Sequence, residues 1–186
     1  MLFNLDEIQV GKQDKSKGFG QKSHVVSSLE IGMQKSELEN AISHIQKNQS
    51  LAFATRGAWS AHHLLEYLVR QIGSCECILA SWAFSEQAAK TVQALKEQGL
   101  ITNLTCFLDN RIKEYTKAKS ILERTGELIF ITSHSKMILL KNEKWTISVV
   151  MSANFSKNRT LETGMILTDS KTHEFFKNVL NSSIQE

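Results

Sequence analysis

The chain has 186 residues, 41% hydrophobic and 22% charged, with a net charge of +3. That length and apolar content suit a single soluble globular domain with a sizeable core and exclude a disordered or fibrous chain. The mildly basic balance permits a nucleic-acid partner without demanding one.

Three cysteines, Cys75, Cys77 and Cys106, form no disulfide framework and no C-x-x-C pair. Buried, reduced thiols are the expected state, and a cytoplasmic setting follows. No stretch approaches the ~20 apolar residues of a membrane span. The opening "MLFNLDEIQV" carries acids where a signal peptide carries lysines.

Residues 11–22, "GKQDKSKGFGQK", read as a loop or flexible arm, rich in Gly, Lys and Ser. Residues 1–35 are therefore expected to form an N-terminal extension, and 36–186 the main domain. Ser36 with Glu39 three positions later is a capping box, so a helix is expected to follow. From there strands and helices alternate. "LAFATRG", "CECILASWAF", "LITNLTCFLD" and "ELIFITS" read as strands. Between them lie helices opened by Ser60 and Ser85, and a third over "NRIKEYTKAKSILERTG". That alternation predicts an α/β fold with a mixed, mostly parallel sheet flanked by helices. Arg111, Lys113, Lys117, Lys119 and Arg124 read as the solvated face of the third helix.

The pattern changes at His134. "HSKMILLKNEKWTISVVMSAN" holds two apolar runs around Lys141-Asn142-Glu143-Lys144, a β-hairpin. His134 and Lys136 are two apart, so they face the same way, roughly 7 Å from each other. A turn centred between Asn142 and Glu143 would set residue 134 opposite 151 and return Ser152 and Asn154 to the level of His134. "LETGMILTD" is a further strand and "SKTHEFFKNVLNSSI" a closing helix.

These residue types suit phosphoryl chemistry. A neutral imidazole is a nucleophile for phosphorus and, once charged, a proton donor. An ammonium neutralises non-bridging oxygens, and an amide donates to them without adding charge. Glu162 is placed to accept the second ring N–H of His134 and fix its tautomer.

The stretch resembles the H-x-K…S-x-N signature of the phospholipase D superfamily, carried by His134, Lys136, Ser152 and Asn154. Upstream, "ILASWAFSEQAAKTVQALKEQGLITNLTCFLD" is similar to the strand, Ser/Phe turn, helix and Asp-ending strand of its short bacterial nucleases. The likeness covers about residues 76–168. It departs from the pattern at Lys141, where the family usually has Asp, and at Met151, which often is Gly. The resemblance implies a phospholipase D-like fold and a metal-independent phosphodiesterase without cofactor. Single-motif members supply the two required histidines by homodimerisation. It therefore implies a homodimer whose His134 forms a phosphohistidine intermediate.

Arg56, Trp82, Phe84, Lys157 and Arg159 are the candidate substrate-binding groups. Arg56 closes a strand before a helix N-terminus, and Trp82 and Phe84 end a strand where the cleft is expected. The expected partner is nucleic acid, DNA ahead of RNA. No membrane partner is expected, since no amphipathic Trp/Leu helix with Lys flanks is present. A non-catalytic nucleic-acid-binding module and a phospholipid hydrolase or transferase are the alternative readings.

Overall fold

A computed structural model describes residues 18–22, 25–31, 38, 41–42, 44–114, 116–157 and 160–185. The strands are β1 (Gly18–Lys22), β2 (Val25–Ile31), β3 (Ser50–Arg56), β4 (Cys75–Ser81), β5 (Ile101–Asp109), β6 (Glu127–Ile131), β7 (Met137–Lys141), β8 (Thr146–Met151) and β9 (Leu161–Leu167). The helices are α1 (Ala61–Ile72), α2 (Glu86–Glu97), α3 (Thr116–Thr125) and α4 (Ser170–Ser182).

The helix starts follow local chemistry. The Ser60 N–H donates to Nδ1 of His63 at 3.2 Å, as in a capping box. Ser85 Oγ accepts from Ala88 N at 3.2 Å, and Asp169 from Thr172 N at 2.8 Å. α1 stops at Gly73, whose φ of +79° suits a residue without Cβ.

The described strands form one sheet in the order β2-β1-β3-β9-β8-β7-β4-β5-β6. Only β4·β5 and β5·β6 are parallel; the other neighbours run antiparallel. The sheet is mixed as expected, but mostly antiparallel rather than mostly parallel. The cause is the hairpin. Chain order alone would set β4, β5 and β6 beside further parallel strands. Instead β7 turns back to pair with β4 and brings β8 and β9 with it.

Both faces of the central strands are covered, which is why "MILL" in β7 is apolar at every position. Ile138 and Leu140 join Leu79, Ile147 and Val149 in a core under α1, α2 and α3. Met137 and Leu139 face the other way, with Ala80, Phe107 and Leu180 of α4.

Two further expectations are corrected, and one falls outside the described residues. Residues 18–22, read as part of an arm, form β1, which pairs with β3 and so extends the sheet. The boundary at residues 35 and 36 lies outside the described residues, as does the Ser36–Glu39 box, though Leu38, Ala41 and Ile42 are helical and buried. The third helix begins as a 3-10 turn, Asn110–Glu114, before α3. Among the described residues, no helix is long and apolar enough to cross a membrane.

The hairpin register is shifted by two residues. Met137 pairs with Val150 and Lys141 with Thr146. Asn142 sets the turn: its Oδ1 accepts from Lys144 N (2.9 Å) and Trp145 N (2.8 Å), and its Nδ2 donates to Ile72 O and Ser74 O. An even shift keeps every side chain of the hairpin on its expected face.

His62 is buried in α1 with no hydrogen-bond partner on Nδ1. Burial, reinforced by His63, holds its pKa down at about 4. The unfolded chain then binds a proton that the folded one refuses between the ordinary value of 6.5 and about 4. Stability is fully present above that window and falls as pH drops through it, by up to roughly 3 kcal/mol. Urea titrations from pH 7 to pH 4 should show this slope, and His62→Leu should flatten it.

Candidate active site

The ends of seven strands meet on one side of the sheet. β3, β4, β5, β6 and β8 finish there, and β7 and β9 start there, because Arg56 pairs with Leu161, Met151 with Gly164, Ala80 with Met137 and Asp109 with Ile131. The carboxyl ends of parallel strands in open α/β sheets are where ligands bind.

His134 and Lys136 lie in the extended segment entering β7. The His134 ring is exposed and Lys136 is 6% exposed. Lys136 Nζ donates to the His134 carbonyl at 2.6 Å and lies 3.1 Å from ring Nδ1. Burial pushes the Lys136 ammonium below the ordinary lysine range, opposed by the nearby Glu162 carboxylate. Among the described residues Lys136 makes no ion pair within 4.0 Å. A desolvated cation without a bonded anion is costly, and a phosphate would relieve that cost.

β8 delivers the other half. The backbone bond from Met151 N to Lys136 O (3.2 Å) sets the end of β8 beside Lys136. Ser152 Oγ donates a short hydrogen bond to Glu162 Oε2 and accepts from Thr163 N at 3.0 Å. Glu162 also accepts from Thr160 Oγ1 at 3.2 Å. Glu162 thus fixes Ser152 rather than the His134 ring, which it does not contact. It points along the β8–β9 ladder because β9 pairs with β8 and β3, leaving β7 and its histidine one strand further away.

Asn154 lies between the buried residues Ala153 and Phe155. Its Oδ1 is buried with no hydrogen-bond partner. That oxygen is an acceptor and calls for a donor; the amide Nδ2 is the group of Asn154 that can serve a phosphate oxygen. Phe155 fixes this segment. It stacks on Phe84 with ring centres 4.8 Å apart, and its N–H donates to Ser81 Oγ at 3.3 Å.

The substrate-binding candidates separate. Trp82 stands edge-on to the His134 ring, 5.2 Å between centres. Phe84, by contrast, is buried against Phe155 and has no face for a base. The two differ because the chain leaves strand geometry after Ser81, so alternation no longer applies. Arg56 is exposed at the end of β3, where Thr55 pairs with Glu162. Lys157 is exposed beyond Phe155, and Arg159 lies outside the described residues.

Lys141, the departure from the expected motif, lies at the far end of β7. It pairs with Glu76 across the strands and borders an open hollow of about 700 Å³ that also touches Ser74, Asn142 and Lys144. Opposite charges facing each other there favour the pairing. The position lies at the opposite end of the strands from His134.

Two residues escaped the sequence reading. Asp109, buried at the end of β5, accepts from Arg111 N (3.0 Å) and from Ser133 N (3.2 Å), so it ties β5 to the loop before His134. Arg111 carries its guanidinium over the Trp82 ring at 4.6 Å. The strand-ending Asp was visible in the sequence; its partners were not.

No family model matches the sequence, and no curated protein is similar to it. Among solved structures, NucT from Helicobacter pylori superposes with a TM-score of 0.51 at 16% identity, over 65% of this chain and 87% of that one. Over that part of its length the chain shares the fold of NucT. Two weaker likenesses are Nuc from Salmonella typhimurium, a phospholipase D family member (TM-score 0.47, 18% identity, 63% of this chain and 85% of that one), and the archaeal chromatin protein TrmBL2 (0.46, 16%, 73% and 53%). Among the described residues, no three His, Cys, Asp or Glu side chains gather as metal ligands would.

Proposed function

We propose that the protein is a phosphodiesterase of the nuclease type, cutting a nucleic-acid strand through a phosphohistidine formed on His134. One observation carries the reading: a buried, unpaired lysine ammonium beside an exposed imidazole at the carboxyl ends of the parallel strands. The fold shared with NucT supports it.

The chemistry then runs in two steps. A ring nitrogen of His134 attacks phosphorus, the bond to the leaving oxygen breaks, and an imidazolium gives that oxygen its proton. Water next attacks the phosphohistidine, yields its proton to the same second imidazole, and releases the phosphate monoester. Lys136 and Asn154 hold the non-bridging oxygens as their charge grows. The second imidazole is the partner's His134 in a two-fold dimer, the arrangement that a single motif requires. Three buried, unpaired thiols suit a cytoplasmic setting.

The test is incubation with single- and double-stranded DNA and with RNA in EDTA. Cleavage of any of them supports the reading, with DNA the polymer expected first. Binding without cleavage would sink it and leave a nucleic-acid-binding module. Lys136 adds a pH signature. Because burial lowers its pKa, kcat/KM should fall on the alkaline side below the ordinary lysine value of 10.5. Lys136→Arg should remove that limb, since guanidinium keeps its proton. A limb unmoved by the substitution would show that Lys136 does not govern it.

A further inference from the structure

We propose that Arg111 binds the phosphate next to the scissile one, so that the site takes a chain of phosphates rather than a single phosphodiester. This rests on the phosphodiesterase reading above and names its substrate class.

Three contacts hold Arg111 in place. The buried Asp109 carboxylate fixes its backbone N–H at 3.0 Å and reaches Nε at 3.6 Å. The guanidinium lies 4.6 Å over the Trp82 ring. That ring in turn meets the His134 ring edge-on at 5.2 Å. The cation is therefore fixed two short steps from the proposed nucleophile. A strand carries one phosphate for every ~3.4 Å of duplex axis, so the reacting group always has charged neighbours close by for a second cation to meet.

The guanidinium is also available. Its side chain is 66% exposed, and its one carboxylate neighbour stays at 3.6 Å rather than in a close fork. An arginine has five donors, and a lone carboxylate at that distance leaves most of them for a ligand. Stacking on Trp82 holds the planar group so that a bidentate approach to phosphate costs less side-chain freedom. Asp109 is a positioning residue here: the same carboxylate anchors Ser133, one residue before His134. The distance between the two phosphate ligands is thus set by one buried group.

A phospholipid presents one diester and gains nothing from a second cation at this spacing. A nucleic-acid strand gains at every bond. The discriminating substrates are dithymidine monophosphate, and the same dinucleotide carrying an added phosphate at its 5′ or 3′ end. In the wild type, one of the phosphorylated forms should exceed the plain form in kcat/KM by about 10-fold or more, the worth of a charge-assisted contact. Arg111→Ala should bring that ratio close to one, and Arg111→Lys should restore part of it. A wild-type ratio near one, or a ratio unchanged in Arg111→Ala, would overturn the proposal.

If the wild type hydrolyses none of the three and cuts no DNA or RNA polymer either, the phosphodiesterase reading fails, and oligonucleotide binding decides Arg111 separately; if it cuts polymers alone, the same binding measurement decides Arg111. The slope of log affinity against log salt should then shrink by about 0.7 to 0.9 in Arg111→Ala, one phosphate contact. An unchanged slope would overturn it there too.

Discussion

Replacing His134 with alanine should lower kcat by ~10⁴-fold or more while leaving the melting temperature in place. The loss is large because no other imidazole of the described chain lies at this end of the sheet with its ring exposed beside Lys136. His62 and His173 are buried in α1 and α4, and His63 engages Ser60 at the helix start. The fold should tolerate the change. The ring is solvent-exposed, and exposed substitutions seldom shift stability by more than ~0.5 kcal/mol. Lys136 keeps its bond to the residue-134 carbonyl, which the substitution retains. Steady-state kinetics beside thermal melting separates the two effects. A melting temperature that drops together with activity would mean that His134 is structural.

Phe155→Ala should be the costliest single truncation near the site, at ~3–5 kcal/mol. The ring is 0% exposed and stacks on Phe84 at an interplanar angle of 8°. Deleting it opens a cavity between the end of β4 and the segment after β8, which rigid neighbours fill only in part. At about 2–4 °C per kcal/mol for a chain of this size, the melting temperature should fall by roughly 6–20 °C. Activity should fall in the surviving folded protein as well. Phe155 anchors the chain through Ser85 N to its carbonyl (2.7 Å) and its own N–H to Ser81 Oγ, and Asn154 is the residue before it. Phe155→Leu, which refills most of the volume, should recover most of both. Urea titration with activity measured at low denaturant checks this. Equal stability for the alanine and leucine variants would show that the stacked pair carries little.

The sequence made the local devices legible. Ser60 and Ser85 open their helices and Gly73 ends one, because a cap is decided within a few residues. The hairpin was legible for the same reason, and with it the shared face of His134 and Lys136. Its register was not, because the turn is set by Asn142 reaching Ile72 and Ser74 at the end of α1. The sheet's direction was hidden likewise. β4 lies between β5 and β7, and no local pattern says that a strand 55 or more residues later comes back antiparallel.

At the site the same division holds. His134, Lys136, Ser152 and Asn154 were read together from their spacing on the two strands of one hairpin, a local pattern. Glu162 was found but matched to the wrong neighbour, since its partner depends on which strand β9 pairs with. Trp82 and Phe84 looked equivalent in the sequence, and only the break after Ser81 separates the half-buried ring from the buried one. Arg111 read as one cation among several on a helix face. Its place over Trp82 follows from the buried Asp109, a contact between chain segments that composition cannot show.

The most direct measurement is chemical. Wild-type protein would be mixed with an oligonucleotide ³²P-labelled at its 5′ end and, separately, at its 3′ end, in EDTA, quenched in alkali within the first turnover, then digested and mapped. The account predicts a label that is stable to alkali, lost in acid and carried on the peptide holding His134. Strand cleavage at full rate with no label on that peptide, under quench times short enough to catch an intermediate, would contradict it.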